Sequence, residues 1–69
     1  MQSTKDAEGT ELKVGDPVFF KADVEQYGTV AEIDGEKVVL EGHFTGGYIG
    51  GQTRTTMRAS DVYYDGPAR

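Results

Sequence analysis

The sequence predicts an all-β domain, a small five-stranded and partly open barrel preceded by a flexible tail. Three observations carry that expectation. From Leu12 onward, short runs of β-branched and aromatic residues alternate with glycine-containing turns. Asp34-Gly35 stands between two such runs, a strong short-range hairpin signal. The chain of 69 residues has fourteen Val, Ile, Leu and Phe, and most of them fall inside the runs, so patterning rather than bulk hydrophobicity must specify the fold.

Residues 1–10 are almost wholly polar, too poor in apolar side chains to repay ordering, and read as the flexible tail; residues 11–66 read as one barrel domain. Val14-Gly15-Asp16-Pro17 is turn chemistry, with the residue before proline pushed to an extended conformation. In Val18-Phe19-Phe20 the period of two places Val18 and Phe20 in the core and Phe19 on the other face. Residues 21–26 are polar and read as a connector to a second strand at 27–33. Val30 and Ile33 are three apart, so both can point inward only if a bend or bulge lies near Ala31-Glu32. Asp34-Gly35 then turns the chain into the returning strand at 37–41. Residues 42–51 hold five glycines, with His43, Phe44, Tyr48 and Ile49 among them, and read as a mobile loop. β propensity returns at 52–58 with Met57 inward. Ala59-Ser60-Asp61 forms a tight turn, Val62-Tyr63-Tyr64 closes the barrel, and Asp65-Gly66-Pro67 ends it.

This arrangement resembles the SH3-like small β-barrels, in particular the minimal KOW and Tudor-like versions, over residues 12–64. Val14-Gly15-Asp16 followed by Val18, and Gly28-Thr29-Val30-Ala31-Glu32-Ile33, which fits the G-x-V-x-x-I core of KOW segments, carry the likeness. Asp34-Gly35 and Ala59-Ser60-Asp61-Val62, the latter similar to the turn before a closing strand, extend it. The resemblance implies an SH3-like partly open barrel and, from the KOW side, RNA-linked roles. It marks a scaffold rather than a job, because such barrels serve many unrelated functions. Small SH3-like accessory subunits of photosynthetic electron-transfer complexes are similar in size and in a Gly-Thr-Val-Ala strand.

Composition removes several function classes. There is no cysteine, hence no disulfide, thiolate metal site or cysteine nucleophile. One histidine excludes the usual zinc sets, Asp61 and Asp65 lack the spacing of a calcium loop, and no metal or other cofactor is expected. Only Ser3 and Ser60 could be serine nucleophiles, and the expectation is that the chain is not an enzyme. The segment 46–51 is followed by no lysine and no helix, unlike a phosphate-cradling loop. No apolar run exceeds three residues, which leaves neither a membrane span nor a signal peptide and points to a soluble, cytoplasmic protein.

What survives is a binding module. Seven aromatics exceed what so small a barrel can enclose, so some of Phe19, Tyr27, Phe44, Tyr48, Tyr63 and Tyr64 should be exposed at its rim. Tyr27, Phe44, Tyr48 and Tyr63 are the candidate partner-binding residues. A net charge of −5 steers such a module toward a basic protein surface. The opening methionine and near-total barrel content suggest a whole small accessory or regulatory subunit docking on a larger protein or nucleoprotein complex; a phage or plasmid regulator that inhibits a host nucleic-acid enzyme fits the acidic charge equally. The alternative is an RNA or single-stranded nucleic-acid binder. Residues 1–41 carry ten acids and four bases, whereas 42–69 carry two acids and three bases, so His43, Tyr48, Arg54 and Arg58 could stack on bases and contact phosphates with weak, salt-sensitive affinity. An exposed edge strand and spare aromatics would also be served by a homodimer.

Overall fold

A computed structural model describes residues 3–22, 24–45 and 50–67. They form seven strands: β1 (Thr4–Lys5), β2 (Glu11–Leu12), β3 (Pro17–Ala22), β4 (Val24–Asp34), β5 (Lys37–Glu41), β6 (Arg54–Arg58) and β7 (Tyr63–Tyr64), with a 3₁₀ turn at Ala59–Asp61. β6-β5-β4-β3-β7 make one antiparallel five-stranded sheet, and β1-β2 a small two-stranded one. No helix of the described residues is long and apolar enough to cross a membrane.

The expected alternation in β3 is present: Val18 and Phe20 are buried and Phe19 is half-exposed on the opposite face. β4 and β5 form the expected hairpin, with Asp34 paired to Lys37 and Gly35-Glu36 as the two-residue loop. Gly35 takes a φ of 62°, the positive value that the first loop residue needs where the turn matches the right-handed twist of the strands. The register shifts between Val30 and Glu32, which makes Ala31 the extra residue of a bulge and lets both Val30 and Ile33 enter the core.

Two segments differ from the sequence expectation. The polar stretch 21–26 is not a connector but the tip of a long β3–β4 hairpin, paired out to Ala22 and Val24. Its Gln26 is only 1% exposed. The side-chain amide donates to the Thr45 carbonyl and accepts from the Thr45 N–H at 2.9 Å, so one glutamine satisfies both backbone groups of a loop residue as a neighbouring strand would. A polar side chain is stable in the core only when its hydrogen bonds are made, and here both ends of the amide are used.

The second difference is at the N-terminus. Instead of a tail, Thr4 and Lys5 pair with Leu12 and Glu11. The loop between them is built on Asp6, which is 5% exposed. Its Oδ1 accepts the N–H groups of Glu8 (2.9 Å) and Thr10 (2.8 Å), and its Oδ2 accepts the N–H of Tyr64 in β7 (2.8 Å). Ala7 N–H donates to the Val62 carbonyl at 2.9 Å, giving a second tie to the same place. The polar composition of residues 3–10 is therefore compensated by hydrogen bonds rather than by apolar burial.

The core comprises Leu12, Val18, Phe20, Val30, Ile33, Val38, Leu40, Phe44, Ala59 and Val62, with Met57 and Tyr64 packed against it. Phe44 corrects the reading of 42–51 as a mobile loop in its first part. It is 2% exposed, with its ring 5.7 Å from that of Phe20. Two glycines let it in: a Cβ on Gly42 would lie 2.7 Å from the Tyr27 carbonyl oxygen, and one on Gly28 would lie 2.9 Å from the Glu41 carbonyl and 3.4 Å from the Phe44 ring. Backbone bonds from Gly42 N–H to Thr53 and from Phe44 N–H to Gln52 hold the start of the segment down. Residues 46–49, the centre of the expected loop, lie outside the described residues.

Candidate functional site

In the five-stranded sheet the face turned away from the core carries Phe19 on β3, Tyr27 on β4 and Tyr63 on β7. Phe19 stands directly opposite Tyr27 in one pairing and opposite Tyr63 in the other, so three aromatic side chains form a row across three strands. The Phe19 and Tyr63 rings stack, with centroids 5.2 Å apart and planes 19° apart; Phe19 and Tyr27 are tilted, 6.2 Å and 41°. Both separations lie in the range of favourable aromatic pairs. Phe19 is half-covered by its neighbours, while Tyr27 remains 55% and Tyr63 36% exposed.

The row is bordered by carboxylates. Tyr27 Oη donates to Glu25 Oε2 at 3.1 Å. That hydrogen bond, the negative charge of Glu25 and the more distant charge of Asp65 hold the Tyr27 phenol above its ordinary pKa of about 10. A raised folded-state value means that the contact favours folding below the unfolded pKa and fades as pH climbs through the folded one. In Glu25→Gln the Tyr27 phenol is expected to ionise at lower pH than in the parent chain, read by tyrosinate absorbance with Tyr27→Phe as the assignment control; coincident titrations would contradict the contact.

Tyr27 and Tyr63 thus lie together, joined by Phe19. Phe44 does not join them: it faces the core, which overturns its assignment as a partner-binding residue, because the glycine-lined gap beside Phe20 removes its ring from water. Tyr48 lies outside the described residues. His43 is exposed. Arg54 is already engaged, its guanidinium 2.8 Å from Glu32 and 3.5 Å from Glu41. Arg58 sits at the other end of β6, opposite Lys37, and lines a separate depression with Thr4, Lys5, Glu36, Ala59 and Ser60. His43, Arg54 and Arg58 therefore do not make one patch. Among the described residues no three His, Asp or Glu side chains gather as metal ligands.

Sequence reasoning missed Phe19 as a site residue, although its out-of-core parity was readable. What placed it between two tyrosines was the strand register. Asp6 and Gln26 were missed as structural anchors, since their partners are backbone groups remote in sequence.

Comparison with curated proteins and with solved structures finds no match to this chain. Residues 4–65 match a protein family described as a domain of unknown function, DUF7205. The matched span begins at β1 and ends just past β7, so it takes in the Asp6 loop as well as the five-stranded sheet. The chain belongs to the DUF7205 family.

Proposed function

We propose that this chain is a non-catalytic protein-binding module of the SH3-like small-barrel kind, which takes a cationic segment of a partner protein on its Phe19–Tyr27–Tyr63 face. The observation that carries the reading is the registered aromatic row with both tyrosines open to solvent. Cross-strand aromatic pairs also stabilise sheets, by roughly 0.2–1 kcal/mol each. That role is met by ring-to-ring contact alone, and the tyrosine area still open to solvent is what a ligand would cover. Glu25 and Asp65 beside the rings favour a positively charged ligand, and an arginine or lysine laid over the ring faces gains about 0.5–1 kcal/mol at exposed sites. The net charge of −5 assists encounter with such a partner.

The barrel reading has its own support. β6 and β7 are the two edges of the sheet yet are consecutive along the chain. In a flat sheet four strand spacings would separate them by about 19 Å. The connection through Ala59–Asp61 is partly 3₁₀ and reaches only about 13 Å. The sheet must curl to bring its edges within reach, as in a partly open barrel, although no pairing joins β6 to β7 among the described residues.

The nucleic-acid alternative draws less support, since Arg54 is held by two carboxylates and Arg58 lies apart from the aromatic row. A homodimer through the β6 edge is also disfavoured: antiparallel self-pairing about Thr56 would set Arg54 of one copy against Arg58 of the other. The test is the affinity of a short arginine-rich peptide measured by calorimetry. Tyr27→Ala and Tyr63→Ala are each expected to weaken it about two- to fivefold while the strand signal in circular dichroism is kept. Unchanged affinity in both folded variants would overturn the reading.

A further inference from the structure

Lys37 and Arg58 stand directly opposite each other on β5 and β6, on the face turned away from the core. Like charges in that position destabilise a sheet. Lys5 brings a third cation to the same end of the molecule, where it and Arg58 line an open depression of about 420 Å³ together with Thr4, Glu36, Ala59 and Ser60. The ion pairs among the described residues use Lys13 and Arg54, and none neutralises Lys5, Lys37 or Arg58. Two acids are near: Asp34 is paired in register with Lys37, and Glu36 lies on the rim. In a chain that carries an excess of acids, Lys5 and Arg58 in the lining, with Lys37 opposite Arg58 on the neighbouring strand, make a local concentration of positive charge.

We propose that this depression binds a phosphoryl group. Arg58 offers the forked donor geometry that suits phosphate oxygens, Lys5 adds a point charge in the lining and Lys37 one opposite Arg58, and Thr4 and Ser60 in the lining carry hydroxyls able to donate. The wall is held in place: the Ala59 N–H donates to the Glu36 carbonyl at 2.7 Å, which fastens the 3₁₀ turn to the β4–β5 hairpin. The Glu36 carboxylate is the one opposing group in the lining and limits affinity. The site shares no residue with the aromatic row and stands independently of the reading proposed for it.

The experiment is a titration of the isotopically labelled chain with inorganic phosphate, followed by amide chemical shifts, against sodium chloride at matched ionic strength. Saturable shifts at Lys5, Arg58 and Ser60 are expected with phosphate alone. Arg58→Gln is expected to weaken binding about tenfold, and Glu36→Gln, which removes the repelling charge, to tighten it. A nucleoside monophosphate run alongside separates the two sources: tighter binding than phosphate assigns an esterified phosphoryl group, and equal binding assigns the free ion. Equal shifts with chloride, or an affinity that neither substitution changes, would overturn the proposal.

Discussion

Phe44→Ala is expected to remove a large share of the chain's stability and to move its urea midpoint far downward. Truncating a buried phenylalanine costs about 3–5 kcal/mol, and a domain of this length has in total about 3–10 kcal/mol of stability. The site cannot collapse to absorb the loss, because the ring rests on Phe20 and on the glycine pair Gly28 and Gly42, where no side chain can move in. The same gap explains why glycine is dense here. A ring drawn from a loop into the core needs the backbones of β4 and the following segment to pass within contact distance, and a Cβ on Gly42 would meet the Tyr27 carbonyl. Urea denaturation followed by circular dichroism checks this; a variant with an unchanged midpoint would show that Phe44 lies outside the core.

Asp6→Ala is the second large effect, a loss of about 2–4 kcal/mol. The carboxylate accepts three backbone N–H groups, and its removal leaves part-buried donors without partners, each costing about 1–3 kcal/mol if water cannot reach it. Asp6→Asn gives the finer test. An amide keeps one acceptor oxygen, so it can hold either the Glu8 and Thr10 side or the Tyr64 side, and its loss should be smaller than that of alanine but still measurable. Hydrogen exchange should accelerate at both the Tyr64 and Thr10 amides in Asp6→Ala and at one of the two in Asp6→Asn. Protection unchanged at Tyr64 in Asp6→Ala would mean that the N-terminal sheet does not hold β7.

These two residues also show what the sequence can and cannot reveal. The strands were legible because alternation and turn chemistry are local: Val18 and Phe20 against Phe19, the three-residue spacing of Val30 and Ile33 that demands a bulge, and the glycine after Asp34 that demands a hairpin. Asp6 was illegible because one of its partners is 58 positions away and is a backbone group with no side-chain signature. Gln26 read as a connector for the same reason, since its amide replaces a strand that composition does not reveal. Phe44 looked exposed because glycines surround it, yet those glycines are what admit it to the core. In the candidate site, Tyr27 and Tyr63 were readable as aromatics too numerous to bury, and the row they form with Phe19 emerged only from the register of β3 with β4 and β7.

The central claim is that the Phe19–Tyr27–Tyr63 face receives a cationic protein segment. Amide and aromatic-ring chemical shifts during titration with an arginine-rich peptide measure it most directly. The expected result is a saturable set of changes centred on Phe19, Tyr27 and Tyr63, extending to Glu25 and Asp65 and leaving the core rings of Phe20 and Phe44 unmoved. Changes that fall elsewhere on the sheet, or none at millimolar peptide, would contradict it.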